Sequence, residues 1–427
     1  MILILTGLSW ASRDCPIHEI LQLREDPAGL EERFGAPPFD PGTRTPPPPN
    51  ASKALYGSWS QEQLASENFF FAWREGEELN EVAYQASLTL ETAWTELVEW
   101  QRWPRPASSD EYLLWVVLDP SLEYSAYTVP MYTPDYPDGY AIMYVNPSWS
   151  DDPAFFDDLL VHEFMHAIQY AMRPARDSAD ESWYWEASAQ WAPKLVFPES
   201  EGYASSSQYY SNFTWYTYSS LDNAHQYGMF LLNAYIEEKV MGQGGMKNIW
   251  ESSRSDLSSW DKVISNASGK PLEELWGGFA ADVANKGLAD QELYDPVYLV
   301  APVADGITEE IKYLGTHYFL VEEELDISAS GDVVLSGPSG WGAEISASPG
   351  DIVGVTGLSE EPGEYVLEVS GGSFGSAGSV GTDFLEFEDE GYKPSTCSTA
   401  GDEPESWLLL IGGLLLGLRR NGRCRRD

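Results

Sequence analysis

The stretch VHEFMHAIQY, Val161 to Tyr170, carries two of the chain's five histidines, His162 and His166, with Glu163 directly after the first. On a helix, residues four apart lie on one face, one turn above each other. Both imidazole Nε2 atoms can then reach one ion, and Glu163 can touch a water at that ion. This is the HExxH spacing. The competing reading is a core helix whose two histidines are hydrogen-bonded and nothing more. The flanks support a helix in either case. Asp151 or Asp152 can cap it, Pro153 fits its first turn, and Pro174 marks its end.

Two histidines do not complete a catalytic zinc site, which needs a third protein ligand. A third histidine placed for a metzincin is excluded, because Gln169 and Met172 stand where Gly and His are required. A glutamate on the next helix is the other option. The segment ESWYWEASAQWAP offers Glu186, twenty residues beyond His166. Ala187 and Ala189 beside it permit close helix packing. Glu181, fifteen residues beyond His166, is the competitor, but as an acid at a helix start it has a simpler role. Gln190, one turn after Glu186, can accept a hydrogen bond from a histidine Nδ1–H.

HExxH followed by WEASAQW resembles the gluzincin metallopeptidases, whose second motif is commonly Asn-Glu-Gly/Ala-x-Ala. The match covers His162, Glu163, His166, Glu186 and Ala187. Trp185 replaces the frequent Asn, and Gln190 a frequent acid. The resemblance implies a zincin-like catalytic domain. In it Zn2+ is held by His162, His166 and Glu186, and Glu163 is the general base for hydrolysis of a peptide or protein substrate. It also implies that a strand before the zinc helix, here YAIMYVN (140–146), edges the cleft and pairs with the substrate. A His or Tyr from a later helix would donate to the oxyanion. NAHQYGMFLL offers both His225 and Tyr227, and the sequence does not choose between them.

Outward from this motif, the fold class reads as α+β. Residues 59–324 form the catalytic domain, with a small sheet, the HExxH helix and a mainly helical second half. Strands are expected at 68–73, 113–119 and 140–146, with a helix over 79–98. The Pro- and Tyr-rich stretch between the last two strands reads as a loop. Later helices are expected at 181–191, ended by Pro193, and at 226–240, 246–253, 258–266 and 271–286. From 325 to about 390, short alternating segments with Gly, Ser and Pro turns read as a small β sandwich. The aromatic run 203–220 either lines the substrate cleft or packs on its own rings as a surface loop. His18 and His317 have no evident partners.

The chain of 427 residues has a formal net charge of -44, from 68 acidic and 24 basic residues. Such a surface repels nucleic acid and anionic membranes, so nucleic acid is not expected as a partner. Cys15, Cys397 and Cys424 leave the long body of the chain without cysteine, which excludes a thiolate metal site. Residues 1–11 read as a signal peptide lacking the usual leading basic residue, and 12–58 as a Pro-rich linker or pro-segment. The tail 395–427 holds Cys397, a polar spacer, an apolar run Trp407–Leu418 and five arginines. It resembles the sorting signal of exported myxobacterial proteins called MYXO-CTERM. That implies export, cutting by a sorting protease near Cys397, and attachment at the outer membrane surface. The leading expectation is therefore a surface-anchored zinc endopeptidase. Its rivals are a non-peptidase zinc amidohydrolase and a surface adhesin or glycan-binding protein with a degenerate zincin domain.

Overall fold

The computed structural model describes residues 61–375, apart from residues 75, 111, 134, 135, 174–180, 256, 257 and 301–308. The signal, linker and tail expectations, and His18, lie outside the described residues. No helix among the described residues is long and apolar enough to cross a membrane.

A five-stranded sheet comes first: β1 (Gln61–Ala65), β2 (Phe69–Arg74), β3 (Leu114–Leu118), β4 (Ala126–Thr133) and β5 (Tyr136–Val145). Its order is β1-β2-β3-β5-β4. β2, β3 and β5 run parallel, with Phe70 opposite Trp115 and Trp115 opposite Ile142. Parallel strands buried on both faces read as continuous apolar runs, and all five residues of LWVVL are buried. The connection after β2 is helix α1 (Asn80–Ala93), which continues as π-helical turns over Trp94–Trp100.

Two expectations are corrected here. The stretch read as a loop contains β4, which pairs antiparallel with β5. It escaped notice because Pro130 sits inside it, opposite Ala141. A proline is tolerated in a strand where one side needs no partner, which is the situation of an edge. Consequently YAIMYVN is an interior strand, and β4 is the edge beside the HExxH helix.

That helix, α2 (Pro153–Met172), starts where the sequence placed it. The Asp152 side chain accepts the Phe155 N–H at 3.3 Å, and Pro153 occupies the first turn. From Leu160 to Tyr170 every residue is buried, so this helix is covered on all sides. Phe164 joins it to the sheet and to the α1 extension, with ring centroids 5.4 Å from Phe69 and 5.9 Å from Trp94. α3 (Ser182–Val196) packs against α2. It does not stop before Pro193, which lies inside its last turns. Next come α4 (Ser207–Ser211), α5 (His225–Gly228), α6 (Phe230–Tyr235) with π-helical turns to Val240, α7 (Gly245–Ser253), α8 (Trp260–Ser268) and α9 (Leu272–Ala284).

The β region begins before residue 325. β6 (Glu309–Ile311) and β7 (Thr316–Leu320) join β8 (Leu325–Ser330), β9 (Val333–Gly337), β10 (Gly340–Gly342), β11 (Glu344–Ala347), β12 (Ile352–Gly357) and β13 (Gly363–Gly371). They form two four-stranded sheets, β10-β9-β12-β7 and β11-β8-β13-β6. Phe319, Leu335, Val353 and Val355 of the first share one apolar cluster with Ile327 and Tyr365 of the second. Side chains alternate along β7. Thr316 and Tyr318 therefore turn toward the helices, with Trp276 Nε1 of α9 donating to Thr316 Oγ1 at 3.2 Å. Gly277 allows this approach, since a Cβ there would lie 2.9 Å from the Trp341 ring. The β region is thus seated on α9 rather than separate from the helices.

His317 points the other way. It is not partnerless, because its Nδ1 lies 3.0 Å from the Tyr365 hydroxyl. Burial pulls its pKa down from 6.5 to about 4. The folded protein holds this ring neutral while the unfolded chain protonates it below about 6.5. The resulting stability is complete above that pH and is lost as pH falls toward 4. His317→Gln is expected to lose less Tm between pH 7 and pH 5 than the parent. Parallel losses in both proteins would place the acid sensitivity elsewhere.

Candidate metal centre

His162 and His166 project from the same face of α2, with ring centroids 4.8 Å apart and planes at 84°. Their Nε2 atoms are 3.1 Å apart. Glu186 enters from α3, where Ala187 and Ala189 are fully buried against the neighbouring helices. Its Oε2 lies 3.0 Å from His162 Nε2 and 3.7 Å from His166 Nε2. All three residues are buried, and together they could hold a metal ion.

The far side of each imidazole is fixed by an amide. His162 Nδ1 lies 3.2 Å from Gln190 Oε1, as the spacing suggested. His166 Nδ1 lies 2.7 Å from Gln169 Oε1, a contact the sequence reading missed. The orientation of Gln169 follows from its other end, where Nε2 donates to the Trp185 carbonyl at 3.1 Å and to Ser188 Oγ at 3.0 Å. A carbonyl accepts only, so Oε1 must face the histidine and Nδ1 must carry the proton. The Nε2 lone pairs of both rings therefore point at the shared centre. Trp250 Nε1 also donates to Ser188 Oγ, at 3.0 Å, which ties this support to α7.

Charge follows the same geometry. Burial alone would raise the Glu186 carboxyl, but when the rings also take a proton at Nε2 in the metal-free protein, hydrogen bonds and charge from His162 and His166 outweigh it and hold the group at about 2. Burial raises Glu163, whose Oε2 accepts a hydrogen bond from Thr128 Oγ1 at 2.8 Å. Its Oε1 is buried with no hydrogen-bond partner, as is Glu186 Oε1. Thr128 belongs to β4, and Tyr170 Oη of α2 donates to its carbonyl at 2.8 Å. The edge strand is thereby pinned to the helix at the level of Glu163. No sequence signal marked Thr128, because its stretch did not read as a strand.

A cavity of about 240 Å³ opens on this group, lined by His162, Glu163, Gln190, Tyr227, Asp158 and Ala126 among others. The two oxyanion-donor candidates separate here. Tyr227 lines the cavity with its ring 5.9 Å from that of His162. It is brought there by Asn223 and Ala224, both in the left-handed region at φ 52° and 59°, and by Gly228, whose bare Cα abuts the Tyr210 amide. His225 is neither at the surface nor among the cavity residues. It is fully buried, its Nδ1 3.2 Å from the Tyr209 carbonyl, and burial lowers its pKa to about 4. The aromatic run 203–220 divides likewise: Ser205, Ser206 and Tyr209 face the cavity, while Tyr203 and Tyr210 fill the core.

Glu181 is not part of the group. It sits at the start of α3, and its Oε2 accepts the Trp260 N–H of α8 at 2.9 Å. That bond serves the start of α8, while at the start of α3 the Glu181 side chain makes no capping hydrogen bond.

No curated protein matches the chain. Residues 51–262, slightly under half of it, match the family model described as "Family of unknown function (DUF6055)". The chain is thus similar, over the segment that holds every residue of the metal group and most of its cavity, to a family whose function is unknown.

Proposed function

We propose that the protein is a zinc-dependent endopeptidase with a zincin-like, gluzincin-type catalytic region. The carrying observation is the convergence of three buried ligand atoms on one point, with Glu163 beside them and an edge strand alongside. Two imidazole nitrogens and one carboxylate oxygen suit zinc. Tetrahedral zinc with ligands at 2.0–2.1 Å sets ligand atoms roughly 3.3 Å apart. The separations of 3.0, 3.1 and 3.7 Å bracket that value. The unpartnered Glu186 Oε1 leaves acceptor capacity at the same centre.

When bound, zinc would supply a Lewis acid that acidifies a water and polarises the scissile carbonyl. Glu163 takes the water's proton and delivers it to the leaving amine, and the unpartnered Oε1 of this cavity-lining residue suits that transfer. The Tyr227 side chain, whose ring lines the cavity, would donate its phenol proton to the developing oxyanion as a hydrogen bond. Gln190 and Gln169 keep both imidazoles in the metal-binding tautomer. β4, terminal in its sheet among the described residues and with Ala126 at the cavity, offers an edge on which an extended peptide can pair by main-chain hydrogen bonds. For localisation the tail remains the only support, and it favours attachment at the outer surface by way of Cys397.

Digestion of a mixed peptide library by the full chain is the direct test. Cleavage is expected to stop on chelation and to return with Zn2+. A protein that binds zinc stoichiometrically yet cuts no peptide would exclude the endopeptidase reading.

A further inference from the structure

Asp158 lies on α2, one turn before His162, and lines the same cavity with 4% of its surface exposed. Its two oxygens lie 3.0 and 3.1 Å from Ser200 Oγ, which has one proton to give. The Tyr203 backbone N–H is the second donor. A carboxylate has about four acceptor positions, so roughly half of its capacity is unused. No lysine or arginine pairs with it among the described residues, and the charges that reach it, Asp157 and Asp152, are also negative. Burial pushes its carboxyl up to about 7. A buried carboxylate without a counter-charge is costly and is tolerated where a ligand brings one.

Gly202 packs its Cα against the carboxylate, since a Cβ there would collide with Asp158 Oδ2, and the group is thereby fixed in the cavity wall. Four helical residues span roughly 6 Å, so a group bound at Asp158 belongs to a substrate residue close to the metal group. The net charge of -44 draws cationic peptides toward the molecule as a whole.

We propose that Asp158 is a specificity residue that binds a cationic nitrogen of the substrate, so that the preferred peptides carry a lysine, an arginine or a free amino terminus beside the scissile bond. This rests on the endopeptidase reading for its catalytic arm but not for its binding arm.

The test uses the full, zinc-loaded chain at pH 8. End-blocked peptides differ only in one lysine or norleucine, and a third peptide has norleucine with a free amino terminus. The parent is expected to favour a cationic peptide at least about tenfold in kcat/KM, of the size that a single matched pocket contact provides. In Asp158→Asn, which keeps the shape and can still accept a hydrogen bond, that ratio should fall about tenfold. The peptide that shows the preference, lysine or free amine, identifies the source of the nitrogen. Equal rates on all three in the parent, or a ratio unchanged in the variant, overturns the proposal. The parent's own ratio decides the matter if the variant does not fold. If no peptide is cut, the endopeptidase reading fails and calorimetric binding of the same peptides decides. Tenfold tighter binding of a cationic peptide upholds the subsite, and equal or absent binding overturns it.

Discussion

Glu163→Gln is expected to leave the metal content of the protein unchanged and to lower turnover by at least about a hundredfold, the lower end of what a general base contributes. The substitution is nearly isosteric, and Glu163 is not one of the three converging residues. The Thr128 hydroxyl, 2.8 Å from Oε2, can still donate to the amide oxygen of a glutamine. What is lost is the capacity to take a proton. A hundredfold corresponds to about 2.7 kcal/mol of barrier. Metal analysis and single-turnover peptide cleavage on the same sample separate the two effects. Parent-like turnover in this variant would remove Glu163 from the mechanism and, with it, the reading of the site as a zinc peptidase. Lost metal together with lost turnover would instead mean that the glutamate holds the centre rather than serving it.

The parts of this site that could be read from the sequence are those with local causes. α2 announces itself through Asp152, Pro153 and the four-residue spacing of its histidines, all within one continuous segment. Gln190 could be foreseen because it lies one turn from Glu186. Gln169 carries the same kind of signal, three residues after His166, as does Asp158, four residues before His162. The features that stayed hidden depend on distant pairing. Whether a strand is an edge is decided by what lies beside it, and the neighbour that makes YAIMYVN an interior strand is β4. β4 itself has a proline and polar residues because an edge permits them, and those are the residues that read as loop. His225 illustrates a third case. Nothing near it in sequence says that Tyr210 and Tyr216 will close over its ring, with centroids 5.8 Å away from each. The strands before residue 325 are hidden for a related reason: β7 shows its two faces to two different cores, and an alternation of that kind carries no mark in the sequence.

Two glutamates on one short stretch, Glu181 and Glu186, give the sharpest division between structure and metal binding. Glu186→Ala is expected to abolish metal binding and activity together, and His162→Ala should do the same. Removing Glu186 leaves two imidazoles, which rarely hold zinc against competition. The remaining buried ring nitrogens also lose the carboxylate that lies 3.0 and 3.7 Å from them. Glu181→Ala should keep its metal and its turnover. Its loss is the hydrogen bond to the Trp260 N–H at the start of α8, which should lower stability by about 1 kcal/mol, the usual cost of a missing helix cap. Thermal unfolding with and without a chelator distinguishes the pair without an activity assay. A ligand that binds only the folded state raises Tm. Chelation should therefore lower the Tm of the parent and of Glu181→Ala, and leave that of Glu186→Ala where it was. Full zinc occupancy in Glu186→Ala, with loss in Glu181→Ala, would reverse the assignment. It would also require the residue that precedes α3, rather than Glu186 five positions further on, to face the histidines.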